Sequence, residues 1–437
     1  MQVNHPQSAS NYERECDRRP DMPEGWAGEL SVTRRISSSA YHRISAAMFL
    51  AGLATFSLIY CVQPLLPAFA RDFHIGPAES SLALSATTGA LAAAILCAAP
   101  GSEVLGRRGL MFGSMCAAAI LNVTDAFAPT WHALLIARAL EGIALGGVPA
   151  VAMAYLAEEI HPQGLGLSMG LYVGGTAFGG MLGRVGIGAL TEFISWHLAL
   201  GILGAIDLLA AIGFFILLPD SRYFKQQRSL DPSYHLSAWL RHLRHPGLPF
   251  LFLIGCLTVG AFVTIYNYAS FRLAAPPYQL SPTQVSLIFG VYLFGTVASP
   301  LAGALADRVG RGPLLITSIT IQAVGIGFTL LQNLGAIIVG IVIMTIGFFI
   351  AHSIASGWVG SMAGRAKGHA ASLYLLAYYL GSSVMGSIGG WFWASGGWSS
   401  VAGFTAALLA IAWAAARWVH CSTRCSGDQA DRGASSL

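Results

Sequence analysis

Gly303-Ala304-Leu305-Ala306-Asp307-Arg308-Val309-Gly310-Arg311-Gly312-Pro313 lies between two long apolar runs. A worn copy, Ala99-Pro100-Gly101-Ser102-Glu103-Val104-Leu105-Gly106-Arg107-Arg108-Gly109, stands about two hundred residues earlier, again between apolar runs. A short turn of acid, glycine and arginine pressed between membrane-length segments reads as a tight loop at a membrane face. There the charges stay in water while both flanks enter lipid. Its recurrence reads as one half-chain duplicated.

Composition agrees. The chain has 437 residues, 55% of them apolar and only 10% charged. A soluble domain carries about 25% charged residues to cover its surface, so most of this surface meets something apolar. Apolar segments lie at about 44–69, 79–102, 110–128, 133–157, 166–189 and 195–218, and six more at about 249–272, 283–305, 313–331, 335–358, 369–393 and 399–419. Each is close to the about 17–25 residues that cross a hydrocarbon core. Lipid offers no partner to an exposed backbone group, so these runs are helices. The fold class is an all-α polytopic membrane protein, with twelve transmembrane helices in two parallel six-helix repeats.

The domain reading follows. Residues 1–43 are a polar, disordered cytoplasmic tail; 44–218 and 247–419 are six-helix bundles; 219–246 is a cytoplasmic linker; 420–437 is a cytoplasmic tail. For the linker a solvated stretch is favoured over a short surface helix around residues 237–243. Lys and Arg gather on the termini, the linker and the even-numbered loops, against Arg71 and Arg272 on the odd-numbered ones. Both termini are therefore expected in the cytoplasm.

Several classes fall away. The basic residues form no patch for nucleic acid. The cysteines are odd in number and several sit inside apolar runs, as small apolar residues do. His420, Cys421 and Cys425 supply too few ligands for a tetrahedral site, so no metal and no cofactor is expected. No Walker-type phosphate loop, no His-Glu-x-x-His element and no nucleophile–base set is present, which argues against an enzyme.

The repeat extends beyond the loops. Phe56-Ser57-Leu58-Ile59-Tyr60 in the first span matches Phe262-Val263-Thr264-Ile265-Tyr266 in the seventh. Parallel repeats of this kind place a substrate site at their interface, near the bilayer midplane. Charges at that depth are costly and functional by default. Arg138 and Glu141, three apart, form an intrahelical pair; Glu141 then either carries protons or only neutralises the arginine. Arg184 either pairs with Asp125 or Glu192 in a gate or attracts an anionic substrate. Asp207, on the sixth span, would stay protonated if it faced lipid. His352 is either a buried, hydrogen-bonded imidazole or a handler of protons or substrate. Candidates for proton coupling are thus Glu141, Arg138, His352 and Asp207. Candidates for the cavity wall are Tyr60, Gln63, Tyr172, Arg184, Tyr266, Asn267, Trp358, Tyr374 and Tyr378, a mostly aromatic set suited to amphipathic or drug-like molecules. Trp391, Trp393 and Trp398 read as an interfacial belt.

The paired loops, with Arg138-Ala139-Leu140-Glu141-Gly142, resemble the signature of the major facilitator superfamily. Tyr60-Cys61-Val62-Gln63-Pro64-Leu65-Leu66-Pro67, the stretch Tyr155 to Pro162, Ala351-His352-Ser353-Ile354-Ala355-Ser356-Gly357-Trp358 and Ala371-Ser372-Leu373-Tyr374 are similar to its YnfM-like branch, associated with proton-coupled drug or sugar efflux. The resemblance covers about 40–420 and implies the fold and transport far more specifically than a substrate. It implies a gating latch at Glu103, Arg107, Arg108, Asp307, Arg308 and Arg311, and a role for Arg138 in proton transfer or substrate holding. The first loop departs from the pattern, with Glu103 for the aspartate and Val104 for an arginine. The fifth span has the glycine density of the family's antiporters, but Arg184 stands where they carry proline. The resulting expectation is a monomeric transporter of the bacterial inner membrane, exporting a small molecule against protons by alternating access. Proton-symport or facilitated uptake of a sugar or organic acid is the alternative, and a non-transporting membrane sensor the remote one.

Overall fold

A computed structural model describes residues 38–160, 162–221, 232–364 and 367–434, and among these the chain is helical, with no strand. The readings on residues 1–37, on Arg222, Lys225 and Arg228 of the linker, and on Arg365 fall outside the described residues. So do the side chains of Glu103, Asp307, Arg424 and Cys425.

Helix α1, Ser38–Tyr60, stops short of Pro64, which lacks an N–H and clashes with the preceding turn. A 3-10 turn, Gln63–Leu65, and α2, Leu66–Asp72, complete this first rod. Helices α3, Pro77–Ser80, and α4, Leu82–Leu105, run back. Then come α5, Arg107–Asp125; α6, Trp131–Leu145; α7, Pro149–Glu159; α8, Pro162–Leu190; and α9, Trp196–Leu217. Thr130 and Ser195 cap α6 and α9 through their hydroxyls, satisfying N–H groups that a helix start leaves open.

Beyond the linker lie α10, Pro232–Leu243; α11, Leu248–Ala274; α12, Pro282–Leu287; α13, Tyr292–Val309; α14, Arg311–Phe328; and α15, Leu334–Met362. The last helix, α16, Lys367–Ala434, is interrupted by non-helical backbone at Gly396 and Gly397. Seven helical rods among the described residues are long and apolar enough to cross a membrane by length and composition.

The duplicated loop is visible in the backbone. Gly106, between α4 and α5, has φ 78° and ψ 144°; Gly310, between α13 and α14, has φ 88° and ψ 148°. Side chains avoid that region, which is why the glycine persists even where the first copy has lost its aspartate. Packing of α1 on α8 depends on the glycines of the fifth span. A Cβ on Gly175 would lie 2.4 Å from the Phe49 carbonyl oxygen, and one on Gly179 2.0 Å from that of Leu53. Small residues here bring two helix backbones into contact.

One expectation changes. The linker contains a helix, α10, where a solvated stretch was favoured: Ala238 is buried and Trp239 Nε1 donates to Ser372 Oγ at 3.2 Å, while Leu236, Leu240 and Leu243 stay exposed. Of the three tryptophans read as an interfacial belt, Trp391 is 72% exposed and Trp393 and Trp398 are half-buried. Trp393 stacks against Tyr268, and Trp398 Nε1 donates to the Thr329 carbonyl at 3.0 Å.

Candidate functional site

Pro64 leaves the last carbonyls of α1 without the partners a continuing helix would provide. Arg138, fully buried on α6, fills the gap: Nη2 donates to the Leu58 and Ile59 carbonyls at 3.1 and 3.0 Å, and Nε to Ala83 at 3.3 Å. Nη1 donates to Glu141 one turn on, the pair that their spacing predicts. The same nitrogen lies 3.6 Å from Asp125 Oδ2 at the end of α5. On α9, Asp207 accepts a hydrogen bond from Ser57 Oγ at 2.9 Å. Asp207 is buried against α1, because α9 packs inward on this turn, so the lipid-facing case does not arise. One guanidinium balances one carboxylate, so the remaining carboxyls of this cluster are neutral only when each holds a proton. Asp125 was missed as a member, because three helices converge to place it and no local spacing marks it.

Arg184, on α8, pairs with neither Asp125 nor Glu192. Asp125 is committed to Arg138, and Glu192 lies beyond the end of α8 against another segment. Instead Arg184 Nε donates to Gln63 Oε1 at 2.7 Å, and Gln63 Nε2 donates to Asn267 Oδ1 at 2.7 Å. Arg184 Nη1 also donates to the Gly180 carbonyl. Its Cζ lies 4.1 Å from the Tyr60 ring centre, 4.8 Å from Tyr292 and 5.1 Å from Phe289. Gln63 stands just before Pro64 in the broken first rod, and Asn267 is on α11, so this chain of donors joins the first part of the molecule to the second. Tyr292 and Phe289 were not anticipated: aromatic residues in an apolar run carry no signal of which way they face.

The other cavity candidates separate into groups. Tyr266 Oη bonds Thr345 Oγ1 at 2.9 Å and its ring stacks on Phe289, beside Arg184. Tyr374 Oη lies 3.0 Å from His352 Nδ1, and the Tyr378 ring 4.9 Å from the imidazole. Tyr172 packs in a separate core cluster with Met48 and Ala51, its hydroxyl without a hydrogen-bond partner among the described residues. Trp358 sits apart, beside Gly310, Arg311 and His420 at the end of the bundle that carries the second loop. Of the latch residues, Arg107 Nε donates to Glu158 Oε2 at 2.6 Å, Arg108 contacts Asp220 and the Phe215 carbonyl, and Arg311 contacts Ser361, while Arg308 is exposed.

At the opposite end the two parts of the molecule touch. The Thr283 N–H donates to Glu192 Oε2 at 3.1 Å. That backbone bond, with the hydroxyls of Ser281 and Thr283, holds the Glu192 carboxyl below the usual carboxylate range. Ser85 Oγ donates to the Ser383 carbonyl at 2.9 Å, and Gly390 sits against Ala78. A cavity of about 270 Å³, lined by Pro64, Arg71, Asp72, Trp196, Ser270 and Pro282 among others, lies at this end.

Comparison with known proteins places these features in a family. The sequence model described as Major Facilitator Superfamily matches residues 48–275 and again 257–435. The uncharacterized MFS-type transporter YybF of Bacillus subtilis is 44% identical over 378 residues, 86% of this chain and 93% of that one. The inner membrane transport protein YnfM of Escherichia coli is 44% identical over 372 residues, 85% of this chain and 89% of that one. Among solved structures, a bacterial homologue of the human lysosomal transporter Spinster, inward-facing and unoccupied, superposes with a TM-score of 0.70 at 14% identity, over 89% of this chain and 98% of that chain. The nucleoside transporter NupG gives 0.71 at 15% identity, over 87% and 99%. At such identities the likeness is one of fold.

Proposed function

The chain belongs to the major facilitator superfamily, and from that premise we propose that it exports a small organic solute across the bacterial inner membrane in exchange for protons, by alternating access. The observation that carries proton coupling is the cluster on Arg138: Glu141 and Asp125 are buried against a single guanidinium, and Asp207 is buried on Ser57, one residue along α1 from a carbonyl that Arg138 holds. Such a cluster changes its charge whenever a proton enters or leaves, and any change of charge at this depth is expensive unless another ligand or a conformational change offsets it. Arg138 also holds the broken end of α1, so protonation bears on the same rod that supplies Tyr60 and Gln63 to the second cluster.

Twelve spans fit the described helices when the linker helix α10 is set aside, α1–α2, α3–α4, α6–α7 and α12–α13 each count as one broken rod and α16 as two about Gly396 and Gly397. Two halves of six, with the Arg-rich loops and both termini in the cytoplasm, follow from the bias of Lys and Arg. In that orientation the contacts Glu192–Thr283 and Ser85–Ser383 close the outer end. The arginines of the first loop then hold the helix ends at Glu158 and Asp220, ready to exchange partners when the inner end closes.

The test is reconstitution of the purified chain in liposomes containing a pH-sensitive dye, with candidate solutes screened for solute-driven proton movement. Glu141→Gln is expected to abolish the dependence of flux on the pH gradient while leaving solute binding largely intact. A variant whose flux still follows the gradient as the parent's does removes Glu141 from proton coupling.

A further inference from the structure

Arg184 is 1% exposed, and no carboxylate lies within 4 Å of its guanidinium among the described residues. A buried cation without a counter-charge is costly, and this one is kept at the seam where α8, the first rod and α11 meet. The rings of Tyr60, Tyr292 and Phe289 stabilise its charge. Ring faces do not accept the planar fork of N–H donors that a guanidinium presents. Nε is used by Gln63 and Nη1 by the Gly180 carbonyl; Nη2 has no partner among the described residues. At the other end of the same hydrogen-bonded chain, Asn267 Nδ2 is fully buried and also without a partner. A net positive charge, unfilled donors and aromatic walls complement one anionic acceptor group on an apolar body.

Charge also limits the valence of the ligand. Arg138, the other buried arginine among the described residues, is committed to Glu141 and Asp125. A compact polyanion at Arg184 would keep uncompensated charge in a site of low dielectric. We infer, on the reading of the chain as a transporter, that its substrate is an organic monoanion, a carboxylate or sulfonate on an aromatic or aliphatic body, whose head group is held by Arg184 and Asn267. Gln63 is the positioning residue: it fixes the guanidinium on one side and the Asn267 amide on the other.

The test uses matched pairs that differ only in charge: benzoate and benzamide, indole-3-acetate and indole-3-acetamide, octanoate and octanamide, benzenesulfonate and benzenesulfonamide. Binding to the full chain in detergent is read by tryptophan fluorescence and thermal shift at neutral pH. At least one acid is expected to bind about tenfold or more tightly than its amide, since a site built around a charged donor rejects an analogue lacking the acceptor charge. Arg184→Gln is expected to erase that preference, and Arg184→Lys, which keeps the charge but loses the fork, to retain part of it. No acid preference in any pair, or a preference that survives Arg184→Gln, overturns the inference. Should Arg184→Gln fail to fold, the acid–amide comparison on the parent chain decides alone. Flux in proteoliposomes is scored separately. A chain that carries an amide or a cationic dye without preferring any acid overturns the anion assignment and leaves transport standing. A chain that binds an acid through Arg184 but moves no probe keeps the anion assignment and removes transport.

Discussion

Arg138 donates to the carbonyls of Leu58, Ile59 and Ala83 and to Glu141, with Asp125 at 3.6 Å, so no single partner accounts for its place in the molecule. Removing one member of a buried ion pair leaves the other uncompensated at a cost of about 3–5 kcal/mol, whereas removing the whole set together is often close to neutral. Arg138→Leu is therefore expected to lower the melting temperature sharply in detergent, and Arg138→Leu combined with Glu141→Leu and Asp125→Asn to recover most of the loss. A single variant as stable as the parent would mean that the cluster does not depend on this charge. The Arg138–Glu141 pair was legible because both residues lie on one helix at a spacing that brings them together. Asp125 was not, because its place depends on how α5 meets α6. For the same reason Arg184 attracted the wrong partners: a list of charges in order of depth does not say that Asp125 is already taken.

At the scale of elements, proline and glycine did most of the work that could be read in advance. Pro64 ends α1 and thereby creates the carbonyls that Arg138 caps. Gly106 and Gly310 turn the chain at the duplicated loop with φ of 78° and 88°. A side chain forced into such a backbone region costs about 1–3 kcal/mol. Gly310→Ala is expected to destabilise the protein by that order and to shift the open–closed balance through α13 and α14. The control is Gly303→Ala inside α13, where an added Cβ would meet nothing within 4 Å and where alanine is a better helix former by about 1 kcal/mol. Equal melting temperatures for the two variants would show that the loop tolerates a side chain and that its glycine is not a backbone requirement. The linker helix α10 was harder to foresee, because the residue that anchors Trp239, Ser372, lies far along the chain.

Across the whole molecule, the repeat of one polar loop was enough to anticipate an all-helical membrane fold of duplicated halves, because lipid leaves so few alternatives to the backbone. The closing of one end was not legible: Glu192 and Thr283 lie 91 residues apart in unrelated turns. Yet that contact makes a prediction specific to the assembled molecule. The Thr283 N–H, with Ser281 and Thr283 hydroxyls, holds the Glu192 carboxyl below its usual range when this end is closed. A carboxyl lowered in the closed arrangement favours that arrangement at any pH above the ordinary carboxylate range. The contribution fades as pH falls toward the lowered value, because a protonated carboxyl no longer attracts the N–H as strongly. Spin labels at the exposed positions Phe193 and Gln279 would report the separation of the two turns. Acidification into the carboxylate range is expected to lengthen that distance in the parent chain. Glu192→Gln should already show a larger open fraction at neutral pH and little further change on acidification. If parent and variant respond to pH alike, the groups that titrate this end lie elsewhere, and Glu192 only caps the start of α12.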